Sequence, residues 1–194
     1  MRLAKTLLFA ACLLPAAWLA YAVASGGLGA DPVEALAKQS GRWALRLLAL
    51  TLAVTPLRRL TGWRGLLRVR RMLGLFCFFY ALLHLATYLV LDLQLEWDEL
   101  LADIVERPFI SAGLTTFLLL LPLALTSTRG WQRRLGRRWQ QLHRLVYAAA
   151  LGALLHFFWA VKADLREPLL YAGVFALLLG YRAVARLRQA GASR

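Results

Sequence analysis

Three histidines are the residues of this chain best able to do chemistry: His84, His143 and His156. His143 and His156 stand at the two ends of one apolar segment between Arg137 and Val161, and His84 lies inside another. An ionisable ring at membrane depth is costly unless something binds it. Neutral imidazole is the commonest biological metal ligand and the usual axial ligand of haem iron. The three rings therefore point to a haem centre held inside a membrane protein. No other constellation competes with them. There is no P-loop, no glycine-flanked serine and no nucleophile beside a base, so hydrolase and ATPase chemistry have no residues to stand on. Cys12 and Cys77 lie in separate apolar stretches without ligand spacing and read as small packing residues.

The elements that must position the histidines are membrane spans. Of the 194 residues, 60% are hydrophobic, with mean hydropathy +0.58, against roughly 45–50% apolar residues in soluble domains. Six apolar stretches are expected to cross as helices, at about 7–24, 43–60, 72–91, 108–128, 141–161 and 168–187, most of them near the roughly 20 residues that hydrocarbon requires. The predicted fold is all-α, a single transmembrane haem-binding domain over 1–194. Arg46 and Arg182 interrupt the second and sixth stretches and are expected to snorkel to an interface. No internal repeat is evident. Asp31 followed by Pro32 predicts the N-cap and first residue of a short external helix ending at Gln39, and Trp97 to Val105 predicts a second, amphipathic one.

Charge orients the spans. All ten acidic residues fall in the loops after the first, third and fifth stretches, while 18 of the 24 basic residues fall on the other side. The positive-inside rule then puts both termini and the arginine-rich loops in the cytoplasm. The net charge of +14 is an orientation signal on this reading, and nucleic acid is excluded as a partner; lipid is the solvent. Ala22-Val23-Ala24 resembles a signal-peptidase site, but the preceding apolar run is longer than a usual signal sequence, which favours a retained span.

With this orientation the third and fifth spans are parallel, and His84 and His156 both fall in the outer half, where they can face each other across one haem. His143 precedes His156 by 13 residues, about 20 Å along a helix and about 140° around it. A common partner for both therefore requires a bend, for which Gly152 is a candidate. At the level of His143 the third span offers Arg70 rather than a fourth histidine. Each has a competing structural role: His143, beside Arg144, is placed to bond a headgroup, and Arg70 stands with Arg68 and Arg71 as a cytoplasmic anchor.

The stretches Gly-Gly-Leu-Gly-Ala-Asp-Pro-Val at 26–33, Arg-Arg-Met-Leu-Gly-Leu-Phe-Cys-Phe at 70–78 with Leu83-His84-Leu85, Thr126-Ser127-Thr128, and Leu-Gly-Arg-Arg-Trp-Gln-Gln-Leu-His at 135–143 resemble the MsrQ, or YedZ, family over nearly the whole chain. These are haem-binding membrane subunits of the periplasmic methionine sulfoxide reductase system. The resemblance implies a ferric-reductase-like transmembrane domain in the bacterial inner membrane, with one or two b-type haems and bound FMN. It also implies electron delivery from the quinone pool, or from a cytoplasmic flavin reductase, to MsrP, a periplasmic molybdopterin reductase that repairs oxidised proteins. The family's haem histidines fall on His84, His143 and His156, and its arginine beside the inner haem falls on Arg70. Catalysis would lie on the partner. Related ferric reductases carry four histidines and a fused flavin domain; these residues hold three and no such domain, so electrons are expected to arrive from another protein. A stand-alone transmembrane metal reductase and a haem-free transporter or scaffold remain the alternatives. If electrons leave near His84 and His156, the acids Glu96, Asp98, Glu99 and Asp103 are the expected docking surface for the partner.

Overall fold

A computed structural model describes residues 2–63, 65–161 and 163–191. Arg64, Lys162 and Arg194, which contribute to the charge pattern, lie outside the described residues. Among the described residues nine α-helices follow in order: α1 (Arg2–Ala24), α2 (Pro32–Thr61), α3 (Leu66–Ala86), α4 (Trp97–Glu106), α5 (Pro108–Leu125), α6 (Arg129–Leu135), α7 (Arg137–Leu142), α8 (Leu145–Ala160) and α9 (Arg166–Gly191). A π-helical turn, Thr87–Asp92, continues α3.

Among the described residues, five helical stretches are long and apolar enough to cross a membrane: Leu3–Ala24, Leu66–Asp92, Pro108–Leu125, Arg137–Ala160 and Arg166–Ala185. The expected second span, 43–60, belongs to α2, whose arginines keep it below that apolarity. It is nevertheless the centre of the bundle. Leu45, Leu47, Leu48, Leu52 and Val54 of α2 are buried, Leu52 completely. Asp31 caps α2 as expected, accepting from the Glu34 N–H at 2.8 Å, with Pro32 in the first turn. The helix then runs on through Gln39 without a stop, so the short external helix predicted there is simply the outer end of α2. An amphipathic helix is present where 97–105 predicted one, as α4.

Two antiparallel pairs carry the closest packing, α2 against α3 and α5 against α8. Small residues allow the approach: Gly74 of α3 meets the Thr51 methyl, and Gly152 of α8 leaves room only for the Thr116 hydroxyl. Gly152 is therefore a packing residue within a continuous helix, and the helical pattern is interrupted instead at His143–Arg144, between α7 and α8.

Several polar side chains inside the bundle find partners in ways that the local sequence explains. Pro56 has no N–H, which frees the carbonyl of Leu52 four residues earlier. The Arg182 guanidinium fills the gap, its Nη2 donating to that carbonyl at 2.5 Å. Arg182 is thus buried at 9% exposure and does not snorkel as expected. Arg46 lies partly buried, over the Trp43 ring and 3.4 Å from the Tyr171 hydroxyl. On α1, the Tyr80 hydroxyl accepts from Ala16 N–H at 2.9 Å and donates to the Cys12 carbonyl at 2.8 Å, standing between two groups that would otherwise bond each other. Cys12 and Cys77 are buried and free, as packing residues should be.

Helix α1 packs mainly against α2 and α3, with Leu7, Leu14, Trp18 and Tyr21 facing outward. Tyr80 is its principal polar clamp. Tyr80→Phe is expected to destabilise the protein in detergent by about 1 kcal/mol, because the helix can close its own bond once the hydroxyl is gone. Denaturant titration monitored by circular dichroism would measure it; a loss above about 3 kcal/mol would mean that α1 cannot reclose.

Candidate functional site

His84 on α3 and His156 on α8 face each other inside the bundle, their ring centroids 5.9 Å apart and their planes at 73°. Both rings are held from behind in the same way. The Nδ1 of His84 lies 2.8 Å from the Ala37 carbonyl of α2, and that of His156 lies 2.7 Å from the Phe109 carbonyl of α5. A carbonyl only accepts, so Nδ1 must carry the proton in each ring, and Nε2 is left with its lone pair. A backbone acceptor on the distal nitrogen is the usual support of a metal-ligating histidine, since it sets the tautomer and raises the basicity of the ligating atom.

Glycines make this support possible. A β-carbon on Gly41 would stand 3.2 Å from His84 Nδ1, and one on Gly113 only 2.8 Å from His156 Nδ1. Each ring therefore lies directly on the backbone of the neighbouring helix. Carbonyl, glycine and histidine repeat at an offset of 72 residues, Ala37, Gly41 and His84 against Phe109, Gly113 and His156. Sequence reading found the histidines but missed this framework. Its only signal was one pair of glycines at equal distance from two histidines, too thin to distinguish from the other glycines of the chain.

The separation of the rings is compatible with a metal held between them. Metal–imidazole bonds are about 2 Å, so two imidazoles on opposite sides of one ion have centroids roughly 6 Å apart, which matches the 5.9 Å observed. Among the described residues no group of three or more His, Cys, Asp or Glu converges on a common point. A bare ion would thus lack ligands. The two rings fit a metal that brings its other ligands with it, as a macrocycle does.

His143 lies apart from this pair, at the junction of α7 and α8. It stacks on Trp139 with centroids 3.8 Å apart, and its Nδ1 is 3.1 Å from the Trp139 carbonyl. Trp139 is itself fixed by Nε1 donating to the Thr126 carbonyl at 2.9 Å. His143 and Arg70 line one cavity of roughly 470 Å³, together with Arg71, Arg144, Gln140 and Tyr147. The structure thus brings three of the arginines on the basic side of the chain to one cavity, opposite in chain direction from the outer histidine pair.

Asp103, one of the four acids expected to dock a partner, is not an exposed one. It is buried at 8% exposure, accepting from the Tyr88 hydroxyl at 2.7 Å and paired with Arg107 at 3.0 Å. This cluster ties the π-helical turn beyond His84 to α4 and to the start of α5. A buried carboxylate needs both partners to offset its desolvation. Glu96, Asp98 and Glu99 are exposed.

Residues 40–154 match the family described as ferric reductase like transmembrane component. Three relatives carry the name protein-methionine-sulfoxide reductase heme-binding subunit MsrQ. The one from Xanthomonas axonopodis pv. citri is 53% identical over 98% of this chain and 91% of its own. That from Xanthomonas campestris pv. campestris strain 8004 is 55% identical over 95% and 87%, and that from Rhodospirillum rubrum 50% over 100% and 93%. No solved structure matches. With five apolar helices of crossing length and identity of this extent, the chain is a multi-pass membrane protein and belongs to the MsrQ family of ferric-reductase-like transmembrane subunits.

Proposed function

We propose that the chain is the b-type haem electron-transfer subunit of a methionine sulfoxide reductase system, with the haem iron held between His84 and His156. The observation that carries this reading is the facing pair of imidazoles at 5.9 Å, each with its Nδ1 proton committed to a backbone carbonyl. A haem bound there supplies one-electron iron chemistry. The protein's own contribution is to hold two basic Nε2 atoms in opposition, and to exclude water by packing α2, α3, α5 and α8 around them.

The rest of the reading follows from position. Six crossings, with α2 as the second, and cytoplasmic termini are supported by the one-sided distribution of basic residues. Residues 1–194 then form a single transmembrane domain in the bacterial inner membrane. Electrons enter on the cytoplasmic side from the quinone pool or a flavin reductase and leave on the outer side to MsrP, where methionine sulfoxide is reduced. The inner cavity, with His143 and Arg70, is the place for a second haem or for FMN. Its arginines suit an anionic group.

Replacing His84 or His156 with Ala is expected to remove most of the low-spin haem absorbance of the purified protein. A spectrum that stays as in the wild type in both variants would return the rings to a structural role and favour a haem-free scaffold. The glycines should follow the order of their contacts. Gly113→Ala must displace the His156 ring, whereas Gly41→Ala asks only a few tenths of an ångström of His84. Electron paramagnetic resonance should therefore show conversion from low to high spin that is larger for Gly113→Ala, with Gly173→Ala, which meets nothing, as the silent control.

Docking of the periplasmic partner is expected to use the exposed acids of the outer face. Neutralising Glu96, Asp98 and Glu99 together should slow oxidation of the reduced protein by its partner severalfold at low ionic strength and leave the haem spectrum unchanged. Stopped-flow mixing would read this directly, and a rate indifferent to salt and substitutions would point to apolar docking. Ferric-chelate reduction at full rate without any partner would instead favour a stand-alone metal reductase.

A further inference from the structure

Three large apolar side chains of α4 are left uncovered by the described residues: Trp97, Leu101 and Val105 are 62%, 64% and 83% exposed. They recur every fourth residue, so on a helix they fall within about 80° of arc and form one stripe. Glu99 and Glu106, both exposed, lie about 160° and about 140° around the axis from Leu101. The side turned to the bundle is a different one again. Asp103 is held there by Tyr88 and Arg107, and the Ile104 carbonyl accepts from the Ser111 hydroxyl of α5. The helix is thus anchored along one side, acidic along another and apolar along a third.

We propose that this stripe is a lipid-binding surface: α4 lies on the membrane with Trp97, Leu101 and Val105 set into the boundary between headgroups and acyl chains, in the leaflet where α3 ends and α5 begins. Tethering favours lipid over a protein as the occupant. The crossing stretches Leu66–Asp92 and Pro108–Leu125 flank α4 so closely that four residues precede it and one, Arg107, follows it. Its ten residues therefore cannot rise far from the surface. The first link also turns sharply, with Gln94 and Leu95 in the left-handed backbone region at φ 50° and 65°, and the Leu95 N–H donates back to the Leu89 carbonyl at 2.9 Å. Val90, Leu91 and Leu95, each about half exposed, carry the apolar surface of the span up to α4. Lipid removes this apolar surface from water and gives the Trp97 ring the interfacial position that tryptophan favours. With the stripe in lipid, Glu99 and Glu106 face water; Asp98 borders the stripe in the first turn, where the helix N-terminus favours a carboxylate.

Spin labels on α4 test the assignment in the full chain in lipid nanodiscs. Leu101→Cys and Val105→Cys place a nitroxide on the stripe, and Glu99→Cys and Glu106→Cys place one on the acidic side. Cys12 and Cys77 are buried, and the unsubstituted protein taken through the same labelling is the blank. Power saturation reads the collision rates with oxygen, which concentrates in lipid, and with a water-soluble nickel chelate. The ratio of oxygen to nickel collisions is expected to be severalfold higher at 101 and 105 than at 99 and 106. A ratio no higher at 101 and 105 would overturn the proposal and leave the stripe to a protein partner. Should a labelled variant not accumulate, Trp97 decides. The fluorescence that is lost in Trp97→Phe is expected to be quenched strongly by nanodisc lipids brominated on their acyl chains and weakly by aqueous iodide, and the reverse order would overturn the proposal.

Discussion

Hydrocarbon offers no hydrogen bonds, and this constraint organises the whole molecule. Each polar atom set among the spans must be answered by another part of the chain. Serine and threonine hydroxyls turn back onto their own helices, as Thr51 does to Leu47 and Thr116 to Ala112. Groups that cannot be answered locally reach across helices: Tyr80 to α1, Arg182 to α2, His84 to α2 and His156 to α5. These cross-helix bonds lie within the pairs that pack or between them, so satisfying polar atoms and defining the tertiary arrangement are one and the same requirement.

The histidine pair meets this requirement only by half. An imidazole has two nitrogens, and the bundle answers only one of them with a carbonyl. Nε2 is the nitrogen left over in each, and among the described residues no third His, Cys, Asp or Glu joins the two rings. The glycines at 41 and 113 remove the side chains that would hold each ring away from its carbonyl. Support and site are therefore a single device, made twice by two antiparallel helix pairs, and the rigidity of the pairs fixes the separation of the rings.

Proline shows the same logic in reverse. Pro56 takes a donor out of α2 at the centre of the bundle, and an arginine from α9 occupies the gap. A break in one helix thus became an attachment point for another. Asp103 illustrates why exposure cannot be inferred from residue type: on the amphipathic helix α4 its carboxylate turns inward, toward Tyr88 and Arg107, while its acidic neighbours face water.

Much was legible in the residues alone because hydropathy and charge act locally. Apolar length located five crossing helices, the amphipathic pattern located α4, Asp31–Pro32 located the start of α2, and the motif-bearing segments identified the family that the comparisons support. The three histidines announced themselves because rings of that kind are costly in lipid. What tertiary structure alone decided were relations between residues far apart in the chain. Whether α2 stops at Gln39 or continues, where the segment carrying His143 and His156 is interrupted, and which way Arg182 turns all depend on neighbours from other helices. The carbonyls of Ala37 and Phe109 leave no trace in sequence, since every residue has one. Only packing selects which of them meets an imidazole, and that selection determines which nitrogen remains free to bind a metal.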